Sequence, residues 1–245
     1  ALKAAVPESP MVDGWMGDDW FHNGAFRTFG FDYDLGQTVK KGGGAVPKGT
    51  GDEYAAYLEA GSAMAYARRY GLLDLPVVRK VLEHPSYDAW WQGQAVDKLL
   101  GERKLTVPTM LVVGQWDQED SYGAPAVYKA LAKQSPADGM LSLVIGPWRH
   151  SQVNYEAREL GPLKWEGDTG LQFRTRWMKP FLDCHLKSVA PKCDTPPVLT
   201  YATGANRWEV SQKWPAGTYK PLYLSKDFGL SWSKPQAGSD SYVSD

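Results

Sequence analysis

Cysteine is scarce in this 245-residue chain: there are two, Cys184 and Cys193, in "DCHLKSVAPKC". No CxxC occurs and their spacing fits no zinc pattern. A local disulfide, which would imply an oxidising compartment, and a pair of buried thiols both remain open. Excess charge of either sign is lacking too. Lys and Arg number 27 against 28 Asp and Glu, so nothing electrostatic draws the chain to nucleic acid or to an anionic membrane surface. No apolar run is long enough to span a bilayer. Acidic residues could hold Ca²⁺ as an alternative, but EF-hand spacing is absent, and no metal or cofactor is expected. Also missing is G-x-S-x-G, the turn that carries the nucleophile of many serine hydrolases.

Aromatic residues are plentiful, with 11 Trp and 13 Tyr. That is more than a core of this size needs, and it hints at aromatic-lined pockets or an interface. The length suits one large domain or two small ones. "LKAAV" near the start predicts a short strand stopped by Pro7 and Pro10. "TVKKGGGAVPKGTG" reads as a flexible loop. Residues 52–70 predict one helix, with Tyr54, Tyr57, Leu58 and Met64 near helical spacing and Ser62 in its middle. Helical patterning continues on both sides of Pro85, so residues 15–100 form an α-rich segment.

Then the pattern changes. "PTMLVVGQWD" and "MLSLVIGPWRH" are continuous apolar runs, separated by the amphipathic "GAPAVYKALAKQ" and followed by a helical stretch over 169–187. Strand–helix–strand–helix with unbroken apolar strands predicts an α/β fold whose parallel sheet is covered on both faces. From Pro196 the chain alternates and turns about every eight to twelve residues, as β-sandwiches do.

The chemistry gathers at the strand ends, where open α/β sheets bind ligands. Asp117 follows the first apolar run and His150 the second. A carboxylate at one exit can accept the ring N–H of an imidazole at the next and stabilise the imidazolium formed when the other nitrogen takes a proton. Glu119 and Asp120 follow within "GQWDQEDSYG", and an acidic pair recurs at Asp18 and Asp19 in "GWMGDDW". His22, His84 and His185 read as structural. Ser121 and Ser151 sit beside these groups but lack a strand–turn–helix setting. In α/β-hydrolases the order is Ser, acid, His. The serine is therefore expected before residue 1, and the chain reads as the later portion of an enzyme.

The stretches "PESPMVDGWMGDDWFHNGAFR", "GQWDQEDSYGA", "IGPWRHSQVNYE" and "WEGDT" resemble the α-amino-acid ester hydrolases. These are β-lactam antibiotic acylases, related to cocaine esterase and the X-Pro dipeptidyl-peptidases. The resemblance implies an α/β-hydrolase portion over 1–14 and 101–195, a helical cap over 15–100, and the start of a β jelly roll over 196–245. It places the catalytic acid on Asp117 and the catalytic histidine on His150. A carboxylate cluster for the substrate's α-ammonium falls on Asp19, Glu119 and Asp120. The family's nucleophilic Ser and its oxyanion-hole Tyr residues match nothing in the chain. Expected partners are a small-molecule substrate (an α-amino-acid ester or a β-lactam), the N-terminal remainder of the same enzyme, and a second copy of the chain. Family members are exported, which implies a periplasmic or secreted protein and suits a Cys184–Cys193 bridge. A related acylase or esterase of other specificity, or a non-catalytic carbohydrate-binding scaffold, are the alternative readings.

Overall fold

In the computed structural model, Thr109–Trp116 (β3) and Leu141–Arg149 (β4) pair in parallel, with Leu111 opposite Leu143 and Gly114 opposite Gly146. The structure describes residues 2–17, 20–28, 30–38, 40–41, 51–134, 136, 139–187, 189, 192–215 and 217–243. Asp18, Asp19 and residues 42–50 of the glycine-rich stretch lie outside them. Val198–Ala202 (β7) pairs parallel with β4, and Arg207–Ser211 (β8) closes that side antiparallel. The opening "LKAAV" is not a regular strand. It lies along the other edge of β3, where Ala5 bridges Thr109 and Glu8 bridges Val112, both in parallel sense.

Period-two alternation explains why the strands read as unbroken apolar runs. Leu111 and Val113 face one layer, built on the helix Gly123–Ala132 (α7) with Val127, Tyr128 and Leu131. Met110 and Val112 face the other, with Trp148, Phe173 and Phe181. That second layer is Thr169–Phe173 (α8), a π-helical turn at Arg174–Met178, and Lys179–Leu186 (α9). Pro180 explains the π turn: it has no N–H to donate one turn back, so the helix widens just before it. Gly123 is required where it stands, because a Cβ there would overlap the carbonyl oxygen of Pro10.

The helical segment has its own core around Trp20, Phe31, Tyr66, Val78 and Trp91. The hairpin Phe21–His22 (β1) and Ala25–Phe26 (β2) leads into Gly30–Thr38 (α1), Glu53–Ala60 (α2), Ala63–Arg69 (α3), Pro76–Glu83 (α4), Ala89–Gln92 (α5) and Val96–Gly101 (α6). The single helix expected over 52–70 is two. Gly61 ends α2 in the left-handed region at φ 74°, and Ser62 is not a mid-helix residue but the N-cap of α3, accepting from the Ala65 N–H. The apolar spacing was misleading there: Tyr54, Leu58 and Met64 are exposed, and Tyr66 and Ala56 supply the buried contacts.

The sandwich reading from Pro196 onward also needs correction. β7 and β8 complete the central sheet, and the chain divides into compact units between Gln212 and Lys213. The second unit, Lys213–Asp245, contains the antiparallel pair Tyr223–Ser225 (β9) and Gly229–Ser231 (β10). Asp240 accepts from the Asp227 and Phe228 N–H groups at that hairpin's turn. Two further short strands, Glu159–Leu160 (β5) and Leu163–Lys164 (β6), form a hairpin after β4. Among the described residues, no helix is long and apolar enough to cross a membrane.

Candidate active site

β3 and β4 end side by side, Trp116 opposite Arg149, so the next residue of each strand emerges at one edge of the sheet. These next residues are Asp117 and His150. His150 Nδ1 lies 3.1 Å from Asp117 Oδ1 and 3.2 Å from Oδ2, so the ring N–H can point between the two carboxylate oxygens. The Asp117 side chain is fully buried and that of His150 is 26% exposed.

Local hydrogen bonds hold both groups. Asp117 Oδ1 accepts from the backbone N–H groups of Glu119 and Asp120, each at 3.0 Å, folding "DQED" into a tight turn around its first carboxylate. Oδ2 accepts from Ser9 Oγ at 2.6 Å. Burial pushes the Asp117 carboxyl up, but the Ser9 hydroxyl, the Asp120 and Glu119 amides and the nearby His150 outweigh it. The group is held below the usual carboxylate range and stays ionised. The histidine turn is pinned by Gln152, which accepts from the Arg149 N–H and donates to the Glu159 carbonyl. Asn154 ties the same turn to Glu8 at 2.8 Å.

Glu119 and Asp120 approach opposite edges of the imidazole. Glu119 Oε2 lies 3.8 Å from Nε2, the nitrogen that Asp117 leaves open, and its side chain is 16% exposed. Asp120 Oδ2 lies 3.6 Å from Nδ1, on the same edge as Asp117, and its side chain is 9% exposed. Asp19, the third expected carboxylate, lies outside the described residues. His22 touches the site through a contact of Nε2 with the Glu119 carbonyl, 3.2 Å, so it braces the acidic turn. His84 pairs with Asp88 and stacks on Trp90, and His185 sits beside the disulfide formed by Cys184 and Cys193.

Asp117, Asp120 and His150 offer donor atoms within 4.8 Å of one another, the spacing of a possible metal group. The Asp117 oxygens are already engaged by a hydroxyl and two amides, which is how a carboxylate that orients a histidine is held.

Ser9 escaped the sequence reading. A serine between Glu8 and Pro10 carries no motif, and its bond to Asp117 spans 108 positions. The available signal was indirect: "KAAVPESP" predicts an extended segment, and a strand beside β3 would end near the same edge.

Paired in this way at adjacent parallel strand exits, a carboxylate can orient an imidazole and stabilise its protonated form, the acid–base part of a nucleophilic hydrolase. The sequence profile of the X-Pro dipeptidyl-peptidase (S15 family) matches residues 1–152, and the chain belongs to that family. Among solved structures it is similar to an α-amino acid ester hydrolase labelled with selenomethionine. Identity is 50% and the TM-score 0.88, over 98% of this chain and 40% of that one. It is also similar to an aminopeptidase from a marine sediment archaeon, Thaumarchaeota archaeon. There the identity is 47% and the TM-score 0.85, again over 98% of this chain and 40% of the other. The chain thus spans about 40% of the length of these solved relatives. No curated protein matches it.

Proposed function

We propose that the protein carrying this chain is a serine hydrolase and acyltransferase that cleaves α-amino-acid esters and amides through an acyl-enzyme. His150 is the base and then the acid, and Asp117 orients it and stabilises its protonated form. The serine comes from residues outside 1–245, a reading supported by the greater length of the solved relatives. Its Oγ attacks the substrate carbonyl while its proton passes to His150 Nε2. The tetrahedral intermediate collapses, and the departing alkoxide or amine takes that proton. Water then repeats the sequence on the acyl-enzyme; the amine of a β-lactam nucleus, attacking instead, forms a new amide.

One observation carries this reading. His150 Nδ1 is committed to the ionised Asp117, while Nε2 is turned to a partly exposed edge with the Glu119 carboxylate at 3.8 Å. A carboxylate so placed meets a substrate whose ammonium lies beside the scissile carbonyl. Glu119 and Asp120, with Asp19, make up the ammonium-binding set. Their mutual repulsion is relieved when the cation enters, so substrates without the amine are penalised. The geometry favours Glu119 as the member nearest the substrate, with Asp120 further back on the Nδ1 edge.

Peptides with a free N-terminus present the same ammonium, and the aminopeptidase relative favours them as a second substrate class. The helical segment between Trp15 and Leu100 acts as a cap over the strand ends, and Lys213–Asp245 begins a jelly-roll domain. The Cys184–Cys193 disulfide supports a periplasmic or secreted location. The test compares full-length wild type with Glu119→Gln on D-phenylglycine methyl ester and its des-amino analogue. The expected result is a loss of about tenfold or more in kcat/KM on the amine substrate alone. Equal losses on both substrates would remove the ammonium role.

A further inference from the structure

We propose that Ser9 is a positioning residue for the acid–imidazole pair: its hydroxyl fixes the rotation of the Asp117 carboxylate so that His150 Nδ1 faces both oxygens. This rests on the hydrolase reading above. The Asp117 side chain has no exposed surface, so water cannot replace a missing donor at low cost. Oδ1 is set by the two loop amides, but those bonds converge on one oxygen and leave the carboxylate free to pivot about it. The Ser9 Oγ bond to Oδ2 is the second point that defines the plane.

The backbone around Ser9 is built for this task. Ser9 adopts φ 46°, a left-handed conformation unusual for a residue other than glycine or asparagine. The Val112 N–H donates to the Pro7 carbonyl and the Ser9 N–H to the Val112 carbonyl, at 3.0 and 2.8 Å, locking the segment to β3 just before the turn. Glu8 is tied to Asn154 on the histidine turn, and the Pro10 carbonyl packs against Gly123 at the start of α7. Left-handed strain held by partners on three elements marks a conformation the surroundings impose, and its result is to aim one hydroxyl at the buried carboxylate.

Two variants separate the hydroxyl from the turn. Ser9→Ala removes the hydroxyl and keeps the backbone penalty; Ser9→Gly removes the hydroxyl and relieves it. In the full-length protein both variants are expected to lose about tenfold to a hundredfold in kcat, with KM unchanged. The His150 imidazole midpoint, followed by NMR without substrate, is expected to rise relative to wild type in both. The reason is that Oδ2 without its donor holds the imidazolium more strongly. Among the described residues, the other charged groups against the ring are Glu119 at Nε2 and Asp120 at Nδ1, while Arg149 lies on the His150 backbone carbonyl, and both variants retain all three. Wild-type kcat and midpoint in Ser9→Gly would overturn the proposal, because the turn alone would then suffice. An unmoved midpoint in both variants would overturn it as well. If the wild type turns over no α-amino-acid ester, the hydrolase reading fails, while the imidazole titration still decides the Ser9–Asp117–His150 coupling.

Discussion

Replacing Asp117 by Asn keeps the shape of the side chain and removes one charge. The consequence follows from its four contacts. The two amide N–H groups of Glu119 and Asp120 demand an acceptor where Oδ1 sits. An asparagine satisfies them with its single oxygen, which places its NH2 toward Ser9 Oγ and His150 Nδ1. Nδ1 keeps the oxygen at 3.1 Å but gains the NH2 donor at 3.2 Å, which favours Nδ1 as an acceptor. The neutral imidazole then carries its hydrogen on Nε2, where a base needs a lone pair. The electrostatic loss can be sized from the 3.1 Å separation. At an effective dielectric constant of about 20, unit charges at that distance attract by about 5 kcal/mol. At about 1.4 kcal/mol per decade, this is close to four orders of magnitude in rate, similar to the ~10⁴-fold effect of the same change in a serine-protease triad.

The assay is kcat of the full-length protein on an α-amino-acid ester, accompanied by thermal unfolding as a function of pH. Asp117 has its folded pKa held below the ordinary value of about 3.9. Its stabilising contribution is therefore complete above that ordinary value and is lost as pH falls through the lower folded pKa. The stability gap between wild type and Asp117→Asn should accordingly be widest near neutrality and narrow below about pH 4. An Asp117→Asn enzyme within tenfold of wild type would refute the orienting role.

Two predictions concern stability. Asp168 caps α8 through the Leu171 N–H and also accepts from the Ala157 N–H, both near 3 Å. Asp168→Ala is expected to cost about 1–2 kcal/mol in denaturant unfolding near pH 7. That penalty shrinks in acid, because burial raises this carboxyl but the two amides, Arg174 and Arg158 lower it further. A variant as stable as wild type at pH 7 would show that the cap contributes nothing. The Cys184–Cys193 disulfide joins positions nine apart. Chain-closure entropy for so short a loop gives about 2–3 kcal/mol, so dithiothreitol should lower the denaturant midpoint of wild type and leave a double Cys→Ser variant unmoved. Equal midpoints for wild type with and without reductant would exclude that contribution.

Much of this protein is decided locally. The apolar runs within 109–116 and 141–149, each short and bounded by turn residues, read as strands buried on two faces, and the parallel pairing of such strands brings their following residues to one edge. Asp117 and His150 are legible for that reason, and Glu119 and Asp120 come with Asp117 because the turn is four residues long. Other features depend on which segments meet. The break of 52–70 into two helices is not one of them: Gly61 and Ser62 are exposed and make their cap bonds to Tyr57, Leu58 and Ala65, a local stop-and-start signal that the apolar spacing masked. The strands at 198–211 carry the same alternation in a sandwich as at the edge of an α/β sheet, and pairing with β4 made the choice. Ser9 is the sharpest case. Its hydroxyl gains meaning only when the opening segment lies along β3 and a left-handed turn aims it at a carboxylate 108 positions away. Local pattern sets the period and the punctuation of a chain, because those follow from steric and solvation preferences of neighbouring residues. Which distant donor completes a buried charge follows from the folded arrangement alone, because hydrogen bonds require contact in space.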